Sequence, residues 1–423
     1  MPLFRTASNP VHPAHRPPAR RSTGPWRWLR AMAVPVALWA LVPAVQAGIP
    51  IQHWVQAGGA KVYLVESPAI PMVDVQIDFD AGSRRDPAAQ AGLASVAAGL
   101  MSRGVRASGA EPALDENQLS EAWADLGASF GGSVGLDRAS FTLRSLSYPD
   151  LLSRAARLAA RQLGEPSYPE AVWQRDRQRA VSALKEALTR PAAVGGKAFS
   201  RAVFGDHPYG YEPSEATLGR IGVADLSAWH ARHLQACRAR VSVVGALDRA
   251  RADALVTELL SRLPAGGRCE PLPVVLEVAP LTAASEQRLP FDSAQAHVFI
   301  GQPGHRRADP DLFPLVVGNY ILGGGGFVSR LSNEVREKRG LSYSVYSHFS
   351  PGLHAGAFMV GLQTRPDQAD QAVQVVREVL QRFVAEGPTE AELKAARDNL
   401  VGGFALRIDS NRKLLDNVAN IAW

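Results

Sequence analysis

Arg336 and Tyr343 are the residues of this 423-residue chain whose types and spacing most directly carry chemistry. They lie seven apart in Glu334-Val335-Arg336-Glu337-Lys338-Arg339-Gly340-Leu341-Ser342-Tyr343. The pattern predicts Arg336 near the end of a helix and Tyr343 on the strand after Gly340, so that both can point into one cleft. A guanidinium offers a rigid fork of donors, and a phenol offers a donor whose bond can strengthen as a carbonyl oxygen becomes an oxyanion. Taken by themselves, an Arg and a Tyr at this spacing are read more readily as a solvated arginine and a tyrosine packed in a sheet. A second constellation is His230, His233 and Cys237, which on a helix would share a face and could hold a metal. It has no fourth ligand and no acidic partner, so the preferred reading is boundary residues on the helix before strand Arg240 to Gly245. The run Gly323 to Gly326 lacks the Lys-Ser/Thr of a phosphate loop. It reads as a tight junction that lets another backbone approach.

Composition bounds the possibilities. The formal charge is +6, and residues 1 to 47 contain six arginines and no acid, so the remainder balances to zero. A neutral chain has no electrostatic footprint for nucleic acid. An apolar run from Ala31 to Val42 follows the basic region and ends at Val45-Gln46-Ala47, which fits a signal peptide over 1–47 cleaved before Gly48. Pro35 and Pro43 interrupt the run, and it is short of the roughly 20 apolar residues that span a bilayer. Export, with the periplasm as destination, is therefore expected, with no membrane span after signal removal. Cys237 and Cys269 both fall in the exported part, where a disulfide is allowed but a pair of free thiols stays open.

Periodicity divides the rest in two. Alternating segments from Gln52 to Ala81, a helix over Ala91 to Ser102, strands at Ser129 to Val134 and Ala139 to Leu146, and three helices up to Phe204 precede strand Arg240 to Gly245. A Pro- and Gly-rich linker over 266–284 separates this first half, 48–265, from a second half, 285–423, with a similar order of elements. The fold class expected is α+β, two similar halves, each a mostly antiparallel sheet with helices on one face.

Leu322 to Leu331 together with Glu334 to Val345 is similar to the C-terminal-half signature of the pitrilysin family, which includes insulin-degrading enzyme, mitochondrial processing peptidase and two-subunit bacterial zinc proteases. The resemblance implies two halves arranged as a clamshell around an extended peptide. Zinc would sit on the first half, and an Arg/Tyr pair opposite it would hold the scissile region. Ala81-Gly82-Ser83-Arg84-Arg85-Asp86-Pro87 and Gly92-Leu93-Ala94 look like the approach to the family's inverted zincin motif, His-x-x-Glu-His. By register Ser95 falls at the first His, Ala98 at the Glu and Gly99 at the second His, so the metal-binding face carries no ligand. The family's third zinc ligand, a downstream Glu, would fall at Ser182 or Ala183; Glu186 is one turn away and cannot replace two imidazoles. His207-Pro208-Tyr209-Gly210 is a turn also typical of the family.

The resemblance thus implies a zinc-less subunit of an exported heterodimeric metallopeptidase. This chain would have no cofactor, would be inactive alone, and would contribute Arg336 and Tyr343 to catalysis and substrate binding. A homologous zinc-bearing subunit would hydrolyse an unfolded peptide. A non-enzymatic scaffold or peptide-binding protein of the same fold is the alternative, and an autonomous hydrolase with unfamiliar ligands is a third. Family members usually continue with another helix and strand, so the second half is expected to be truncated at Trp423.

Overall fold

In the computed structural model, residues 49–264 and 269–423 are described; the expected signal peptide lies outside them. Strands β1 (Gln52–Val55), β2 (Lys61–Glu66) and β3 (Met72–Phe79) lead to helix α1 (Leu93–Leu100). A short ribbon, β4 (Gly104–Val105) and β5 (Leu114–Asp115), then precedes α2 (Glu116–Asp125), β6 (Ser129–Val134) and β7 (Ala139–Leu146). Helices α3 (Pro149–Gly164), α4 (Glu170–Ala187), α5 (Pro191–Phe204), α6 (Glu215–Gly219) and α7 (Val223–His233) follow, then β8 (Arg240–Gly245) and α8 (Arg249–Leu260). The first sheet has the order β1-β2-β8-β3-β7-β6, with only β2 and β8 parallel.

Period-two alternation explains which face is buried. Val73, Val75, Ile77 and Phe79 of β3 are fully buried in a core shared with α1, α3, α7 and α8, each side chain contributing roughly 1.5–3 kcal/mol. The alternate residues Asp74, Gln76 and Asp78 face the other way, and they are buried too.

The second half repeats part of this plan. Strand β9 (Ala296–Pro303), helix α9 (Leu312–Asn319), strands β10 (Val345–Phe349) and β11 (Ala357–Thr364), and helices α10 (Ala369–Glu386), α11 (Glu390–Gly402) and α12 (Asn411–Ala422) follow in order. Its antiparallel sheet, β10-β11-β9, matches β6-β7-β3 of the first. The expected α+β class, with two halves and mostly antiparallel sheets, therefore holds. No helix among the described residues is long and apolar enough to cross a membrane.

Each half lends a helix to the other's sheet. Phe199 of α5 packs on β9, its ring 6.2 Å from that of Phe299. Reciprocally, Leu415 and Val418 of α12 pack on Val65 of β2 and Val244 of β8. The sequence reading placed residues 411–422 with the second half, but α12 lies on the first half's sheet. The physical reason is that this face of the sheet offers Val65 and Val244 to the apolar stripe of α12, while the buried polar residues of β3 beside them are satisfied by neighbouring side chains at the edge of the helix. Asp78 accepts from Ser140 Oγ at 2.5 Å and Gln76 Nε2 at 2.9 Å, and Arg138 bridges from Asp78 to the Asn420 side chain at 2.8 Å. Residues 269–295, which lead into β9, form no helix or strand. Hydrogen bonds from Arg85 to the Pro273 carbonyl and from Arg238 to the Glu270 carbonyl hold this segment on the first half.

A polar joint fixes the two halves. Three successive backbone N–H groups of the loop before β11 are captured by side chains from outside that loop. Leu353 donates to Asp137 Oδ2 at 2.9 Å, His354 to the Tyr209 hydroxyl at 3.1 Å, and Ala355 to Glu277 Oε1 at 2.7 Å. Tyr209 donates to Asp137 at 2.6 Å, and Arg84 donates to the same carboxylate at 3.0 Å. The motif-like stretches Ala81 to Pro87 and His207 to Gly210 thus meet at the junction, where they set how the second half is presented.

Candidate functional site

Arg336 lies on a wide π-type turn, Ser332–Glu337, and not at the end of a regular helix. Tyr343 lies in the loop before β10, not on the expected strand, because Ser342 turns the chain by accepting from Ser344 N and donating to Ser344 O. The two residues nevertheless meet: the Arg336 guanidinium carbon is 5.0 Å from the centre of the Tyr343 ring. On its other contact, Arg336 lies 4.4 Å from the ring centre of Phe327. Phe327 had not been singled out from the sequence. Tyr343 is 83% exposed and Phe327 69%.

The glycine run puts Phe327 there. Gly326 has φ +64°, a left-handed conformation that turns the following ring toward Arg336. At Gly323 a Cβ would collide with Ser347 of β10, so only glycine lets this turn pack against the strand. A cavity of about 420 Å³ opens between them, lined by Gly323, Phe327, Arg336, Tyr343, Tyr346 and His348 among others, all from the second half. Tyr346 and His348 stack with ring centres 5.9 Å apart, and burial holds His348 below the usual histidine pKa. They were also missed, although both lie on the strand that follows Tyr343. Among the described residues the Arg336 side chain donates no hydrogen bond, and its nearest carboxylate, Glu337, is 3.4 Å from Nε in an exposed contact of little strength. The guanidinium edge can therefore receive a carbonyl oxygen or an oxyanion.

The positions expected to match the zinc motif lie on α1. Ser95 and Gly99 share an exposed stripe of α1, and Ala98 is buried in the core. Nothing lies within 4 Å of where a Gly99 side chain would begin. Ser182 and Ala183 lie on α4 with Glu186, which is exposed and faces only Arg190. Among the described residues no group of three or more His, Cys, Asp or Glu is placed to hold a metal ion.

His230, His233 and Cys237 are committed elsewhere. Cys237 is disulfide-bonded to Cys269, with the two Cα atoms 5.9 Å apart. The His230 Nε2 lies 2.7 Å from the Leu163 carbonyl oxygen, and the ring is buried. His233 is also buried, its Nδ1 without a partner, and burial, aided by Arg85 and Arg232, lowers its pKa to about 4. Its folded pKa lies below the 6.5 of the free side chain, so between 6.5 and about 4 the unfolded chain binds a proton that the folded chain refuses. Stability from this group is full above that window and is lost as pH falls through it. His233→Leu is expected to make the chain on the order of 2 kcal/mol less sensitive to acidification from about pH 7.5 to about pH 5. Denaturant melts of both proteins at the two pH values check this, and parallel losses would contradict it.

Comparisons with known proteins agree with this geometry. A family model described as peptidase M16 inactive domain matches residues 220–400. A protein of Mycobacterium leprae named as an uncharacterized zinc protease is 30% identical over 373 residues, covering 84% of this chain and 78% of that protein. The crystal structure of a peptidase M16 inactive domain from Pseudomonas fluorescens superposes with a TM-score of 0.82 at 32% identity, covering 88% of this chain and 87% of that one. The periplasmic protease PqqL from Escherichia coli shares the fold, with a TM-score of 0.73 at 18% identity, covering 88% of this chain and 40% of that one. With the clamshell of two α+β halves in place and the metal-binding face stripped of ligands, the chain belongs to the peptidase M16 family of pitrilysin-type proteins, on its inactive, zinc-less side.

Proposed function

We propose that this chain is the zinc-less subunit of an exported two-chain M16 metallopeptidase, and that it lends Arg336 and Tyr343 to a site whose zinc belongs to a homologous partner. The observation that carries this reading is the contrast between two surfaces. Ser95 and Gly99 on the surface of α1, with Ala98 buried beneath them, offer no metal ligand, while the partly exposed Arg336 and the exposed Tyr343 line an open cavity, the guanidinium donating no hydrogen bond among the described residues. Ligands on a helix surface can be lost without unmaking a fold, but a cation and a phenol kept at a cavity mouth point to a bound acceptor.

An unfolded peptide would lie along the cavity, with the carbonyl of its scissile bond turned toward Arg336 and Tyr343. Zinc in the partner would activate the attacking water, and the charge developing on the carbonyl oxygen would be met by the guanidinium and phenol donors of this chain. The length of PqqL supports a paired arrangement, since this chain covers only 40% of it and that single chain has room for two such units. The Cys237 to Cys269 disulfide supports an oxidising destination outside the cytoplasm, the periplasm being the expected one.

Co-expression with a zinc-bearing M16 homologue from the same genome tests the reading. The two chains should co-purify and hydrolyse an unfolded casein substrate, and Arg336→Ala with Tyr343→Phe should remove most of that activity. A complex whose hydrolysis is indifferent to both substitutions would identify this chain as a scaffold.

A further inference from the structure

Among the features left unused by this reading, the run Gly323-Gly324-Gly325-Gly326-Phe327 is the most specific, because its glycines are demanded by geometry and its phenylalanine is left in solvent. An aromatic ring that is 69% exposed gains little from burial. What it does touch is Arg336, from 4.4 Å, while Tyr343 touches the same guanidinium from 5.0 Å. We infer that Phe327 is a positioning residue for Arg336: it stacks on the guanidinium, fixes its plane and leaves its N–H edge open to a peptide carbonyl. The inference rests on the proposed role of Arg336.

Arg336 makes no side-chain hydrogen bond among the described residues and has one carboxylate neighbour, Glu337 at 3.4 Å, so its head is only weakly anchored by polar contacts. A long side chain held so weakly samples many rotamers, and ordering it upon substrate binding would subtract from the interaction. A salt bridge would order it but would occupy the donors that the substrate needs. Ring contact acts through the π-face, attracts the cation, and uses none of the N–H groups. The close approach of Gly323 to Ser347 and the left-handed Gly326 make the ring's position a property of the backbone.

The first test needs no partner. In the full-length chain with labelled arginine, the Arg336 Nε–H resonance should show the shift of a proton near aromatic rings and the relaxation of an ordered side chain. Phe327→Leu should move that signal toward the free-arginine position and increase its mobility, whereas Phe327→Tyr should keep it. An unchanged Arg336 signal in Phe327→Leu overturns the inference.

The second test uses the two-chain assembly and unfolded casein. Phe327→Leu should lower kcat about tenfold with little change in KM, Phe327→Tyr should restore it, and on an Arg336→Ala background Phe327→Leu should add nothing. Additive losses in that cycle would show a wall acting by itself and overturn the positioning role. An inert Arg336→Ala would instead strike the functional reading, leaving the resonance test to decide whether the ring holds the arginine.

Discussion

Arg336→Ala is expected to lower kcat of the two-chain assembly by about a hundred- to a thousandfold, the scale of losing one preorganised donor to a developing oxyanion. The fold should be untouched, since the guanidinium is in no internal hydrogen bond among the described residues and its ion contact with Glu337 is exposed. Tyr343→Phe removes a single hydroxyl from a residue that is 83% exposed, and a loss of roughly tenfold or more is expected. Because the donors act on the transition state more than on the ground state, the loss should fall mainly on kcat. Steady-state kinetics on unfolded casein checks this, with circular dichroism as the control for folding. A loss confined to KM would mean that the pair only holds substrate.

Breaking the disulfide should have the largest effect on stability. Cys237 and Cys269 are 32 residues apart and tie the connecting segment to the turn before β8. Closing a loop of that length restricts the unfolded chain enough to contribute about 3–4 kcal/mol. Cys237→Ser is therefore expected to lower Tm by several degrees, roughly 5–10 °C. Reductant should lower the Tm of the parent chain to the same value and leave the variant unmoved. A reductant-insensitive melt would mean that the bond contributes nothing, and would remove one support for an oxidising destination.

The elements that could be read from sequence are those whose pattern carries its own partner. β6, β7 and β8 begin and end where alternation and glycine turns place them, at Ser129–Val134, Ala139–Leu146 and Arg240–Gly245. The destination of α12 was not legible. Its period reveals an apolar stripe, but the period does not say that the stripe meets Val65 and Val244 of the first sheet, which is a tertiary contact.

Within the site, the resemblance to the family signature pointed to Arg336 and Tyr343 together, and the way they meet was not legible. A π-type turn and a serine-stabilised loop place them, and neither leaves a periodic trace. Phe327 after four glycines reads as loop, since the close approach to Ser347 that demands those glycines is a tertiary contact. The disulfide stayed open because a separation of 32 residues says nothing about whether two Cα atoms come within 5.9 Å.

Metal content and hydrolysis, measured together on the chain alone and after mixing with a zinc-bearing homologue, test the central claim most directly. The account predicts no stoichiometric zinc and no peptide cleavage from the isolated chain, with chelator-sensitive cleavage appearing only on mixing. Stoichiometric zinc together with chelator-sensitive digestion of casein by the isolated chain would contradict it.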